Sequence, residues 1–358
     1  MAAASIAESN ADVIVGVDTH KHSHFAKAKD QLGRDLDQLE IPTGTSGYAD
    51  LLSWAQGLGR VIVFGVEGTS SYGAGLARFL IERNETVIEV LRPTKRDRRL
   101  NGKSDSVDAD AAASAVLSGK ARAIPKAGDQ SVEMIRAIRI AKVTAIKART
   151  QAVNAIKAMV VIAPEPIREV LRHLTIARLM ATCSRYRVDQ VSDPITATKL
   201  ALRSMSHRYL ALHLEIRTLE KQLSNLTQLV APQLTELPGV GQDVASALLL
   251  TAGNGGSRLR SEAAFSMLCG SSPIQASSGL VQRHRLNRGG DRQANAALHR
   301  VVMVRLKYHQ PTKDYMARRR AEGKSKADVI RCLKRYIARE IYRVITTPRV
   351  EQVEANAA

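Results

Sequence analysis

The sequence predicts an α/β domain, a mixed sheet covered by helices, followed by two helical stretches of which the last is strongly basic. Three observations carry this. Short apolar runs alternate with helical patterns over 12–125, apolar residues recur only at helical spacing over 126–230, and cationic residues crowd 231–345. These ranges are the expected domains.

In the first domain, Val13 to Val17 is a short apolar strand ending in Asp18, and 25–29 and a segment ending at Ile41-Pro42 continue a hairpin-rich opening. A helix is expected over 44–58, a buried strand over 61–66 that ends in Glu67, and a helix over 72–83. A strand over 86–91 and an alanine-rich helix over 106–117 complete the domain. In the middle stretch, Leu202, Met205, Tyr209, Leu212, Ile216, Leu219, Leu223, Leu226 and Val230 follow alternating gaps of three and four. Four heptads of this kind meet the length criterion for a coiled coil, read here as a subunit contact that makes a homo-oligomer (dimer or tetramer). A long helix packed on its own chain satisfies the same spacing.

Composition narrows the function. The 358 residues carry 53 lysines and arginines against 34 acids, a formal net charge of +19, and the likeliest neutralising partner is nucleic acid. From Arg283 to Arg343 there are 18 basic residues and 5 acids, so most of the surplus sits there, although a charge run by itself is usually a solvated face. A second basic run includes Arg96 and Arg99. Aromatics make up only 4%, which excludes stacking platforms as the main binding mode. Three scattered cysteines exclude a disulfide framework and a cysteine zinc site. No export signal and no membrane-length apolar run is visible, so a soluble, cytoplasmic protein is expected.

Four carboxylates fit a metal site. Asp18 and Glu67 end strands, and Asp105 and Asp108, three apart at a helix start, share one face. Four acids in one site repel unless cations neutralise them, and two magnesium ions can clamp the attacking and leaving oxygens of a phosphodiester. Singly, Asp105 or Asp108 also reads as a helix cap, and Asp18 and Glu67 as loop acids. Asp110 points away from that face and is left out. In 237–241, LPGVG places Gly239 and Gly241 before a helix whose amides can face a phosphate; a plain turn between packed helices reads equally well. Farther on, a loop containing Ser277, Ser278 and Gly279 leads into Arg283, Arg285 and Arg288, whose guanidinium groups suit a phosphate.

GVDTHK (16–21), VEGTSSYG (66–73) and KSDSVDADAAA (103–113) resemble the three acidic motifs of the DEDD transposases of the insertion-sequence-110 (Piv-like) family. The resemblance runs over about 12–345, with motifs in matching order. It implies an RNase H-like (RuvC-like) first domain in which Asp18, Glu67, Asp105 and Asp108 bind metal. It also implies a mainly α C-terminal transposase domain in which the serine before glycine, here Ser278, is the nucleophile, with Ser277 as the adjacent alternative. The implied protein is a serine recombinase that cuts and rejoins donor and target DNA under a noncoding bridge RNA. A RuvC-like metal-dependent nuclease without serine catalysis is the rival reading, and a non-catalytic nucleic-acid scaffold is a third.

Overall fold

The computed structural model describes residues 12–91, 104–125, 130–253, 259–281 and 284–347. They fall into two compact units, one of residues up to 129 with 253–260, the other of 130–252 with 261 onward. Among the described residues no helix is long and apolar enough to cross a membrane.

The first unit is built on a five-stranded sheet. Strands β1 (Asp12–Thr19), β2 (Ser23–Lys29) and β3 (Asp35–Pro42) form an antiparallel meander, and helix α1 (Thr45–Leu58) leads to β4 (Arg60–Glu67). Helix α2 (Ala74–Ile81), β5 (Val87–Val90) and α3 (Asp105–Leu117) follow. The order is β3-β2-β1-β4-β5, with β4 parallel to β1 and β5 parallel to β4. Central β1 is buried along nearly its whole length, as a continuous apolar run requires of a strand covered on both faces.

Strand period two sorts β1 and β4 into two sets. Val13, Val15, Val17, Phe64 and Val66 enter the core with Leu51, Leu76 and Leu80 from α1 and α2. Ile14 and Val63 face the other way and pack with Ala113 of α3. Gly16 and Gly65, paired across the two strands, lie on that same face under α3. A Cβ at Gly16 would stand 2.2 Å from the Ala109 carbonyl oxygen and 2.3 Å from the Ala113 nitrogen. Two glycines below and Ala109, Ala112 and Ala113 above therefore let α3 lie directly on the strands, which explains its alanine-rich composition.

The second unit is helical. Its elements are α4 (Gln130–Ile162), α5 (Glu165–Leu171), α6 (Ile176–Ser184), α7 (Pro194–Val230), α8 (Pro232–Glu236), α9 (Gln242–Ala252) and α10 (Glu262–Leu268). A short ribbon of β6 (Ile274–Gln275) and β7 (His284–Arg285) precedes α11 (Arg292–Tyr308), α12 (Gln310–Ala321) and α13 (Lys326–Thr346). Helix α7 opens with a capping box, Asp193 and Thr196, and Pro194 in the first turn.

Helices α4 and α7 run antiparallel: Lys142 pairs with Glu220 at 3.2 Å, and one turn series away Arg149 bonds to His213 Nδ1 at 3.1 Å. All nine residues of the heptad seam are buried or half-buried, and α7 has its most extensive packing against α4. Within the chain, the seam's partner is thus the chain's own helix, the second of the two arrangements the spacing allows. The middle and basic stretches, separate in the sequence reading, share one unit. Buried Arg139 and Lys142 of α4 reach Asp243 of α9 at 2.9 and 3.2 Å.

Candidate active site

The acid-bearing end of the first unit follows from the strand alternation. Asp18 continues the Ile14–Gly16 face of β1, and Glu67 continues the Val63–Gly65 face of β4. The two strands are parallel and in register up to Val17 and Val66, so the acids stand side by side at one end of the sheet. Both residues are 4% exposed. The Thr19 hydroxyl donates to the Glu67 carbonyl oxygen at 2.9 Å and ties the strand ends together. Beyond Glu67 the chain turns sharply through Gly68, whose φ is +63°, and a Cβ on Gly73 would sit 2.5 Å from the Glu67 carbonyl oxygen. This turn delays α2 to Ala74, two residues later than the helical pattern predicts.

Helix α3 brings the other two acids. Ser104 caps it, its hydroxyl accepting from the Val107 amide at 3.3 Å, and Asp105 and Asp108 occupy the first turn. Asp108 is buried and Asp105 exposed. Burial raises the Asp18 carboxyl above the ordinary carboxylate range; the nearby His20 opposes this, and the charges of Asp108 and Asp105 add to it. Asp105 and Asp108 thus both lie close enough to Asp18 to act on its carboxyl. Asp110 lies elsewhere, held by Lys27 at 2.9 Å and Lys29 at 2.8 Å, as its placement outside the acidic face requires.

A residue absent from the sequence reading joins the site. His20 Nε2 lies 3.1 Å from Asp18 Oδ2 and 3.2 Å from Asp105 Oδ1. Ligand atoms of Asp18, His20 and Asp105 all fall within 4.8 Å of one another, the one such group among the described residues. Among the described residues the buried Asp18 Oδ2 accepts no hydrogen bond, its contact with His20 being one of proximity without hydrogen-bond geometry. Two carboxylate oxygens, one of them the buried Asp18 Oδ2, and an imidazole nitrogen form a donor set that fits a divalent cation. Glu67 and Asp108 stand beside this group rather than in its tightest part.

In the second unit, Ser278 sits at the end of the β6–β7 hairpin. Its amide and carbonyl both bond to Val281 at 3.1 Å, continuing the register of Ile274 with Arg285 and Gln275 with His284. Gly279 has φ +56° while Leu280 keeps a negative φ, the combination of a type II′ turn with glycine first. Ser278 is exposed, as are Arg285 and Arg288; Ser277 accepts from Gln275 Nε2 at 3.4 Å. The hairpin's neck is pinched where Gly290 crosses Gly270, since a Cβ on Gly290 would lie 2.3 Å from the Gly270 nitrogen. Asn295 fastens the neck through Cys269 and Gly270 carbonyls at 2.9 and 3.0 Å, and Lys334 holds Asn295 Oδ1 at 2.7 Å. Arg96, Arg99 and Arg283 lie outside the described residues.

The LPGVG turn joins α8 to α9. Gly239 takes φ +79° and packs against Val301 and Val304, whereas Gly241 faces open space. Asp243, in the first turn of α9, is bound by Arg139, Lys142 and Arg300. Burial alone would raise its carboxyl, but the charges of Arg139, Lys142 and Arg300 hold it below the usual range.

Comparison with known proteins matches both halves. Residues 15–163 fit the profile of DEDD transposases of the IS110 type, and residues 231–317 fit the one described as "Transposase IS116/IS110/IS902 family". The chain belongs to the IS110 family of transposases. A relative from Streptomyces coelicolor, described as "Insertion element IS110 uncharacterized 43.6 kDa protein", is 31% identical over 129 residues, 35% of this chain. The match spans only 32% of that relative's length. Within this IS110 transposase family chain, the first matched segment contains Asp18, His20, Glu67, Asp105 and Asp108, and the second contains the Ser278 hairpin and the neck glycines.

Proposed function

We propose that the protein is a DNA recombinase that moves an insertion sequence, with Ser278 as nucleophile and the acidic set as a divalent-cation site. The single observation that carries this is the joint arrangement of Asp18, His20, Asp105 and Asp108 at one end of the sheet, with Glu67 beside Asp18, in a chain matched at both ends by transposase families. The sheet order, with an antiparallel β2 and parallel β4 and β5, supports an RNase H-like, RuvC-like reading of the first unit.

Asp18, Asp105, Asp108 and Glu67, with His20, would hold magnesium, two ions on our reading. Such ions would neutralise the clustered carboxylates and polarise phosphoryl oxygens. In the reaction proper, the Ser278 Oγ attacks a DNA phosphorus; an Oγ–P bond forms as the bond to a sugar oxygen breaks. The hydroxyl proton leaves to water, and the departing sugar oxygen takes one up. Attack of a second DNA end on the phosphoserine restores the hydroxyl and rejoins the strand. Exposed Arg285 and Arg288 on the hairpin, together with Arg283, Arg96, Arg99 and the Gly239–Gly241 turn, are assigned to phosphate contacts. The acids and the serine come from different units, and the reading requires both to act on one phosphodiester, within one chain or across two.

The strong positive charge with little base-reading apparatus suits a protein that holds nucleic-acid backbones and leaves base identity to a bridge RNA pairing with donor and target DNA. A homo-oligomer is part of this reading because the acids and the serine of two chains can meet at one phosphodiester, not because of the α7 seam, which packs on α4. The test is incubation with a labelled recombination site, the element's noncoding RNA and magnesium. A covalent protein–DNA adduct that maps to Ser278, persists in Ser277→Ala and vanishes in Ser278→Ala is expected. Magnesium-dependent cleavage that survives Ser278→Ala would establish the RuvC-like nuclease instead, and an Asp18→Asn protein that recombines normally would establish the scaffold.

A further inference from the structure

The tip of the serine hairpin carries an apolar side chain where solubility alone favours a polar one. Leu280 is 105% exposed, fully in solvent at the second position of the tight turn, with Val281 and Leu286 half-exposed behind it. Two backbone hydrogen bonds between Ser278 and Val281 close the turn beneath it, and the glycine crossing of Gly270 and Gly290 grips the neck. Leu280 therefore tops a turn closed by two backbone hydrogen bonds above a narrow glycine neck. A single exposed leucine needs no explanation on a broad surface, but this one is at the apex of a projection.

Charge identifies what such a tip meets. Between Glu262 and Asp291 the sequence has no acid, and it has three arginines and a histidine at 283–288. The partner must offer anionic groups and an apolar interior at the same place, and duplex DNA does so with phosphates outside and base faces within. Apolar side chains on basic, DNA-bound projections insert between base steps and kink the duplex.

We infer that Leu280 is a wedge that enters the base stack next to the phosphate attacked by Ser278 and turns that phosphate toward the serine. The inference rests on the serine reading given above. Two residues of chain span at most about 7 Å, so Leu280 reaches one or two base steps, each about 3.4 Å, from the phosphate held by Ser278. Leu280 is thus a positioning residue: it distorts the substrate without touching the reacting atoms.

The test places 2-aminopurine at each base flanking the cut phosphate and uses the full chain with its RNA. In a Ser278→Ala background, binding should raise the fluorescence of one flanking base. Leu280→Ala should abolish the rise, and Leu280→Met should keep it. With Ser278 intact, Leu280→Ala should slow adduct formation by about tenfold or more while weakening DNA affinity by less than about threefold, because phosphate contacts carry the affinity. Equal melting temperatures establish that the variants are folded.

An adduct that forms at the wild-type rate in Leu280→Ala, or a fluorescence rise that survives it, overturns the wedge and leaves the serine reading standing. A Leu280-dependent rise in a protein that forms no adduct at Ser278 supports the wedge and overturns the serine reading instead. Leu280-dependent binding to phosphatidylserine vesicles, with no fluorescence change on DNA, would assign the tip to a lipid surface and overturn the inference.

Discussion

Substituting Gly16→Ala tests how the acidic site is assembled. The added methyl would sit 2.2 Å from the Ala109 carbonyl oxygen and 2.3 Å from the Ala113 nitrogen. Restoring the roughly 3.5 Å of an ordinary contact forces strand and helix apart by about 1 Å. Both colliding atoms are backbone, so no side chain can swing away, and the expected destabilisation is near the upper end of about 1–3 kcal/mol for overpacked cores. The functional consequence is larger. Asp18 lies two residues along the same strand face, while Asp105 and Asp108 ride on the displaced helix. A misplacement of about 1 Å between them costs on the order of 100-fold in rate. Calorimetric titration with manganese and thermal melting separate the two effects. Gly57→Ala is the control, since nothing among the described residues lies within 4 Å of its added methyl. A Gly16→Ala protein that folds and binds manganese like the parent would show that close seating of α3 does not place the acids.

Further outcomes follow from the same geometry. His20→Gln should weaken manganese affinity about tenfold or more without lowering the melting temperature, because His20 touches both Asp18 and Asp105 from an exposed position. Gly290→Ala should abolish adduct formation yet leave cation affinity unchanged, since its methyl would lie 2.3 Å from the Gly270 backbone and tilt only the serine hairpin; calorimetry and gel assay read the two halves. Asp243→Asn should destabilise the second unit by about 3 kcal/mol, low in the range for a broken buried ion pair because the Asp243 side chain is 35% exposed. The Asp243 carboxyl is held below its ordinary value, so its contribution is complete above about pH 4 and fades as pH falls through the lower folded-state value. Chemical denaturation across that range should show a steeper acid loss for the parent than for the variant.

Much of the first unit was legible because its two central strands, β1 and β4, are apolar runs with an acid at the end. A buried strand can carry a carboxylate only at its end, so Asp18 and Glu67 marked both the sheet and one edge of the site. The three-residue spacing of Asp105 and Asp108 and the alanines behind them announced a helix, whereas its close seating shows only in Gly16 and Gly65 beneath it. His20 escaped because a histidine in a loop has no periodicity to betray it; only its distance to two acids gives it meaning. The nine-residue seam of α7 announced a helical partner, but spacing carries no information about which chain supplies it, and α4 supplies it here. Likewise, Gly239 and Gly241 marked a turn, whereas the clamping of Asp243 by cations from α4 and α11 arises from residues far apart in sequence. The narrow neck of the serine hairpin depends on Gly270 meeting Gly290, a crossing that neither local motif records.

Whether the acids at the end of the sheet form a cation site is read from the anomalous signal of manganese in crystals of the protein. A peak is expected about 2.2 Å from carboxylate oxygens of Asp18 and Asp105, with Asp108 and Glu67 in the surrounding shell, and it should be lost in Asp18→Asn. Manganese at saturating concentration that leaves this end of the sheet empty, or that binds there equally well in Asp18→Asn, would contradict the cation site.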